Sequence, residues 1–159
     1  MRKIISSIII ILFVVVVWQG FVFYSHINDP IRQSESEALR FLKENIDIDQ
    51  IIVSDYYHGT ESFHVFQIAD QDGEEFIVWV PHSLDKYVVR QKNEGISIDE
   101  VKQFIERELN PKQLISIKLG MENSIPLYEI IYKDQQERLS YYFISFKTGT
   151  YLKHYHLGM

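Results

Sequence analysis

The chain has 159 residues, of which 46% are hydrophobic, 24% charged and 14% aromatic, with a formal charge of −6 and no cysteine. Such an acidic surface repels nucleic acid, and the absence of thiols excludes both a disulfide framework and thiol chemistry. Stability must come from buried apolar surface, to which ten tyrosines and ten phenylalanines contribute.

The first element is organised by charge. Arg2 and Lys3 precede an uncharged run over 4–24 whose only polar side chains are Ser6, Ser7, Gln19 and Tyr24. At ~1.5 Å per residue, a helix over this run spans roughly 31 Å, the thickness of a bilayer's hydrocarbon core. Trp18, Phe21, Phe23 and Tyr24 gather at its far end, where amphipathic rings favour the interface. The basic start marks the cytoplasmic side. The expectation is a cytoplasmic tip at 1–3, a single transmembrane helix at 4–24, and an extracytoplasmic remainder held at the cell membrane. A cleavable signal peptide is the alternative, but its apolar core is shorter and ends in small residues, where this chain has bulky rings. Within the helix, Ser6-Ser7 and Gln19-Gly20 offer small or polar packing positions, so it is either a passive anchor or a contact for another membrane helix. Without Arg2 and Lys3, 14 of the 16 basic residues face 22 acidic ones, so the exported part carries a formal charge of −8.

After a juxtamembrane linker at 25–30, a helix is expected from Ser34. Glu37 stands three residues on as a capping box, and Ala38, Leu39, Phe41, Leu42 and Ile46 recur at helical spacing. Strands are expected at 50–57, 62–69, 74–81 and 86–91, the Asp72-Gly73 pair marking a hairpin between the second and third. The plan then restarts. Ser97 and Glu100 form a second capping box before Val101, Phe104, Ile105 and Leu109, and Pro111 ends that helix. Strands follow at 113–120, 127–132, 138–146 and 150–156, with Gly149 suited to a positive-φ turn.

Ser34/Ser97, Glu37/Glu100 and Phe41/Phe104 are 63 apart, and Asp70/Asp134 are 64 apart. A helix followed by an antiparallel meander, twice, implies an α+β fold of two small domains, at 31–92 and 93–159. One larger sandwich is the alternative.

The second unit, from Ser97-Ile98-Asp99-Glu100 through Tyr128-Glu129-Ile130 to Thr148-Gly149-Thr150, resembles the PepSY domain. With the N-terminal run, Val78-Trp79-Val80-Pro81 and Glu94-Gly95-Ile96-Ser97, the whole chain is similar to the YpmB-like, or cell wall elongation regulator TseB-like, family of Gram-positive bacteria. The resemblance implies a membrane anchor and two tandem cystatin-like (PepSY-like) domains, each one helix on an antiparallel four-stranded sheet. It also implies a non-enzymatic regulator that binds a penicillin-binding protein or other cell-wall synthesis protein. An inhibitor of an extracytoplasmic peptidase and a ligand-sensing module stay open as alternatives.

Signals for chemistry are weak. His154 and His156 share one strand face, but zinc needs three or four ligands, and Asp70-Gln71-Asp72-Gly73-Glu74 reads as a turn rather than a calcium loop. No nucleophile elbow or phosphate loop is present. The expectation is no catalytic residue, metal or cofactor. The aromatic strands say more. Residues 139–146 and 76–80 are apolar on both faces, and a sheet with one helix on one face should alternate. The second faces, with Ile77, Trp79, Tyr141, Tyr142 and Phe143, therefore either pack between the domains or bind a partner.

Overall fold

The computed structural model describes residues 2–158, with side chains described for 11–20 and 31–158. It divides into two compact units, Met1–Arg40 and Phe41–Met159. The first helix, α1 (Arg2–Asn45), runs from one unit into the other as a single element. The stretch 25–30, expected to be a linker, is therefore helical. Pro30 removes one intrahelical N–H, at a cost of about 3 kcal/mol, and the helix formers from Ser34 to Asn45 carry the helix on regardless. Ser34 accordingly does not cap a helix start; its hydroxyl donates to the Ile31 carbonyl at 2.9 Å, within the same helix. The side chains of Ile11 to Trp18 are all exposed. Among the described residues no helix is long and apolar enough to cross a membrane. The span expected at 4–24 falls in large part on residues 4–10 and 21–24, whose side chains lie outside the described ones.

The second unit contains two four-stranded antiparallel meanders. The first orders β1 (Gln50–His58), β2 (Ser62–Ala69), β3 (Glu75–Pro81) and β4 (Val88–Gln91); the second orders β5 (Gln113–Glu122), β6 (Ile125–Lys133), β7 (Leu139–Ser145) and β8 (Tyr151–Leu157). Between the sheets lies α2 (Ile98–Phe104), which widens into a π turn over Ile105–Leu109. Its start is the expected capping box. The Ser97 hydroxyl accepts from the Glu100 N–H at 3.2 Å, and the Glu100 carboxylate accepts from the Ser97 N–H at 2.7 Å. Asn110, in the left-handed region at φ 39°, ends it.

The repeat is written into the backbone. In β1 the register skips Ile52, and in β5 it skips Ile115, so matching bulges lie 63 residues apart. In the β2–β3 turn, one oxygen of Asp70 accepts from the N–H groups of Asp72 and Glu74. In the β6–β7 turn, Asp134 does the same for Gln136 and Arg138. Each turn closes on a positive φ, 79° at Gly73 and 64° at Glu137. Asp70-Gln71-Asp72-Gly73-Glu74 is thus a hairpin turn whose carboxylate serves the backbone.

Each sheet has one face under a helix. On the first, Phe66, Ile68, Val78 and Val80 are buried, and the end of α1 reaches this face through Phe41, whose ring meets Tyr87 edge-on at 6.1 Å. On the second, Val101 and Ile105 of the α2 segment pack into the core, and Phe104 meets Tyr142 at 5.7 Å. The opposite face of the first sheet, with Tyr57, Phe63, Val65, Ile77 and Trp79, joins residues of the second sheet in one continuous core. Strand β5, an edge of its own sheet, lies along β1 and β2 and is covered there. Trp79 meets Phe146 edge-on at 5.6 Å, and Gly95 passes so close that a Cβ would stand 2.3 Å from the Phe146 ring.

Two substitutions test this account. Gly73→Ala forces a side chain into the left-handed region and should cost about 1 kcal/mol. Gly95→Ala must displace a buried phenylalanine ring and should cost more, about 1–3 kcal/mol. Urea unfolding followed by tryptophan fluorescence reads both. An unchanged midpoint for Gly95→Ala would mean that the two sheets do not share a rigid junction.

Candidate functional site

Where the two sheets meet they leave a cleft of ≈ 840 Å³. Its apolar lining sets the accessible Val53, Ile98 and Ile117 over the buried Val65, Ile77 and Leu119. The residues 91–100, which connect the sheets, form one wall, and the Tyr128 hydroxyl pins that wall by donating to the Ile96 carbonyl at 2.8 Å. Burial pushes the Tyr128 phenol up to about 12, so it stays a donor at physiological pH. The rim is acidic, with Asp55, Glu74, Glu75, Asp99 and Glu100 against Lys92. The Ser97 backbone N–H, and then its hydroxyl, hold the Glu100 carboxyl below the usual carboxylate range and keep it charged.

Beside the cleft, polar groups tie the sheets together. Lys118 of β5 reaches Asp55 of β1 at 3.3 Å. The Tyr57 ring lies where a Cβ on Gly120 would stand 2.4 Å from it, and its hydroxyl donates to Glu122 at 2.9 Å. Lys153 of β8 binds the same carboxylate at 2.5 Å and lies 4.3 Å over the Phe143 ring. Glu129, buried to 9% exposure, stands opposite Lys118 in the ladder and opposite Phe143 on its other side. Burial pushes its carboxyl up, Lys118 pulls it back, and Glu122 pushes it up again. Burial chiefly, then Glu122, also raises the Tyr57 phenol far above its ordinary value.

The residues expected to bind a partner divide. Ile77, Trp79 and Phe143 are buried in the shared core, so they cannot form a surface. The physical reason is that the second apolar face of each strand is covered by the other sheet. Tyr141 and Tyr142 are half-buried on β7. Tyr141 stacks on Tyr155 at 5.0 Å, and Tyr142 leans on His154 at 5.2 Å. The Trp79 indole N–H is buried without a hydrogen-bond acceptor among the described residues. His154 and His156 do share a face, and the sheet itself occupies them, through Tyr132 at 3.3 Å and Ser140 at 2.7 Å. Among the described residues no group of three or more His, Asp or Glu could hold a metal ion. The cleft escaped sequence reasoning because its lining comes from six separate segments. Its only trace in the sequence was the excess of acid.

No family model matches the chain. Over 112 residues, 70% of each sequence, it is 28% identical to a Bacillus subtilis (strain 168) protein named probable cell wall elongation regulator TseB. The solved structure of the YpmB protein from Bacillus subtilis matches with a TM-score of 0.70 at 26% identity, covering 77% of this chain and 96% of that one.

The raised Glu129 pKa sets a pH dependence. An acid whose pKa is higher folded than unfolded stabilises the fold below its unfolded value, near 4.5, and that contribution is lost as pH rises through the folded value. Glu129→Gln should therefore be more stable than wild type at pH 7, with the advantage vanishing near pH 4. Urea midpoints from pH 4 to 8 measure this, and a variant less stable at pH 7 would show that Lys118 and Lys153 outweigh burial.

Proposed function

Because the chain belongs to the YpmB/TseB-like family, we propose that it is a membrane-anchored, extracytoplasmic binding protein that regulates cell-wall elongation by contacting a penicillin-binding protein. The observation that carries the reading is the match of the two-sheet unit to YpmB, joined to the relative named as a cell wall elongation regulator. The N-terminal helix supports the anchor: Ile11 to Trp18 form an unbroken exposed apolar surface, which water disfavours and lipid accepts. Arg2 and Lys3 favour a cytoplasmic N-terminus, which sets the two sheets, as cystatin-like domains, outside the cell.

The mechanism combines tethering with contact. Confining two anchored proteins to one surface raises their effective concentration, so a weak interface suffices to hold the partner. The chain contributes a rigid two-sheet body whose junction is fixed by Trp79, Phe146 and Gly95. No step of bond-making is assigned to it.

Affinity capture from cells that express the tagged full chain tests the reading. A penicillin-binding protein should be recovered. Recovery should fall at least tenfold when residues 2–24 are deleted behind a secretion signal, and should return when an unrelated transmembrane anchor replaces them. Capture that contains no cell-wall synthase in any of the three forms would sink the proposal. Loss of capture with the substituted anchor alone would show that the native helix itself makes the contact.

A further inference from the structure

The cleft between the sheets is larger than packing requires and differs in chemistry from the surface around it. Its apolar floor would accept a side chain of the size that small-ligand and peptide pockets commonly take. Its carboxylates do not come from one acidic stretch. They converge from the middle of β1, the turn before β3 and the first turn of α2, three segments that only the fold brings together. Three ammonium groups stand against them. Lys92 is held by Glu75 at 2.6 Å, Lys118 by Asp55 at 3.3 Å and Lys102 by Asp99 at 3.4 Å, which leaves Glu74 and Glu100 as the rim carboxylates without an ammonium partner among the described residues. Glu74 accepts only a neutral amide, that of Gln91 at 3.2 Å, and Glu100 is committed to the Ser97 cap, which keeps it anionic without neutralising it. An apolar bed inside an acidic rim is complementary to a cation-flanked apolar side chain, and it disfavours nucleic acid and anionic lipid alike.

We propose that this cleft binds a short cationic segment of the partner protein, with an apolar side chain seated against Val53, Ile98 and Ile117, the apolar lining residues that keep accessible surface, and flanking lysine or arginine residues meeting the rim. The inference rests on the binding-protein reading and names the surface and the chemistry that it uses. The rim charges steer a basic segment toward the opening, and the floor sets register, because only apolar groups gain by leaving water there. Gln67, which also lines the cleft, gives the floor one polar position.

The test uses the full chain in phosphatidylcholine nanodiscs, whose zwitterionic lipid does not attract basic peptides. The probe is a fluorescein-labelled pentapeptide alternating lysine with leucine. Its controls replace lysine with glutamate, or leucine with serine. Two variants change the cleft without touching the buried core: Glu74→Lys reverses the rim charge that only a neutral amide meets, and Gln67→Arg sets a cation in the lining. The lysine–leucine peptide should bind saturably, at least tenfold more tightly than either control. Each variant should weaken it at least tenfold while circular dichroism and the unfolding midpoint stay those of wild type. Affinity should also fall as ionic strength rises from 0.05 to 0.5 M. Equal binding of the basic and acidic peptides, or unchanged binding to both variants, overturns the proposal. The same variants in the cellular capture separate the two readings. A synthase recovered equally by wild type and variants removes the cleft as its docking surface and leaves the binding role standing. No synthase recovered by wild type removes the binding role, and the peptide result alone then decides the cleft.

Discussion

The close approach of the two sheets at Gly95 and Gly120 is the constraint on which the rest of this molecule depends. A Cβ at either position would fall within 2.5 Å of a buried ring, Phe146 in one case and Tyr57 in the other. With hydrogen alone at those α-carbons, the aromatic rings sit flat against backbone. Trp79, Phe146 and Tyr128 can then form a continuous chain of ring contacts from one sheet to the other. The buried indole N–H of Trp79 has no acceptor among the described residues, a cost of about 1–3 kcal/mol that apolar burial of this large side chain offsets. Neither sheet keeps a core of its own on this side. The halves of the repeat thus share one core.

Coupling of this kind also explains why the electrostatics concentrate where they do. Asp55, Lys118, Tyr57, Glu122 and Lys153 link β1 to β5 and β5 to β8, beside the aromatic junction rather than across open surface. Exposed ion pairs contribute little, whereas the Glu122 carboxylate and the Tyr57 hydroxyl that donates to it are largely shielded from water, with the more exposed Lys153 closing the group from outside. Glu129 is the exception within the cluster. Burial disfavours its charge more than the two lysines restore it.

Much of the architecture was legible in the sequence, and the reasons are specific. The Asp70 and Asp134 turns and the Ser97–Glu100 capping box are local signals that depend on neighbours within four residues. The one-residue change in repeat offset, from 63 to 64, arises within the first hairpin of each half: β5 and β6 each pair one residue further toward their turn than β1 and β2, which outweighs the shorter loop between Glu122 and Ile125. Two things were not legible. The first helix was expected to start afresh at Ser34, because Ser-x-x-Glu reads the same inside a helix as at its start, and only the preceding backbone conformation separates the two. The doubly apolar strands announced that both faces are covered, but the covering surface lies in the other half of the repeat, beyond the reach of periodicity. Hence Ile77, Trp79 and Phe143 carried the right burial signal and the wrong role.

Comparison of the two halves shows how a duplicated plan yields an asymmetric body. Residue for residue at an offset of 64, Val65 corresponds to Glu129, and Ile77 to Tyr141. The apolar member of each pair faces the junction, and the polar or amphipathic member lies in the half whose sheet ends in the long, exposed strand β8. In the first half the last strand is four residues long and runs straight into the connecting wall of the cleft, so the free edge is short. The first sheet therefore supplies floor and rigidity. The second supplies the charged ties and the half-exposed tyrosines of β7 and β8. Where the edge strand β5 lies along β1 and β2, the two unlike halves leave an open, acid-lined cleft between them.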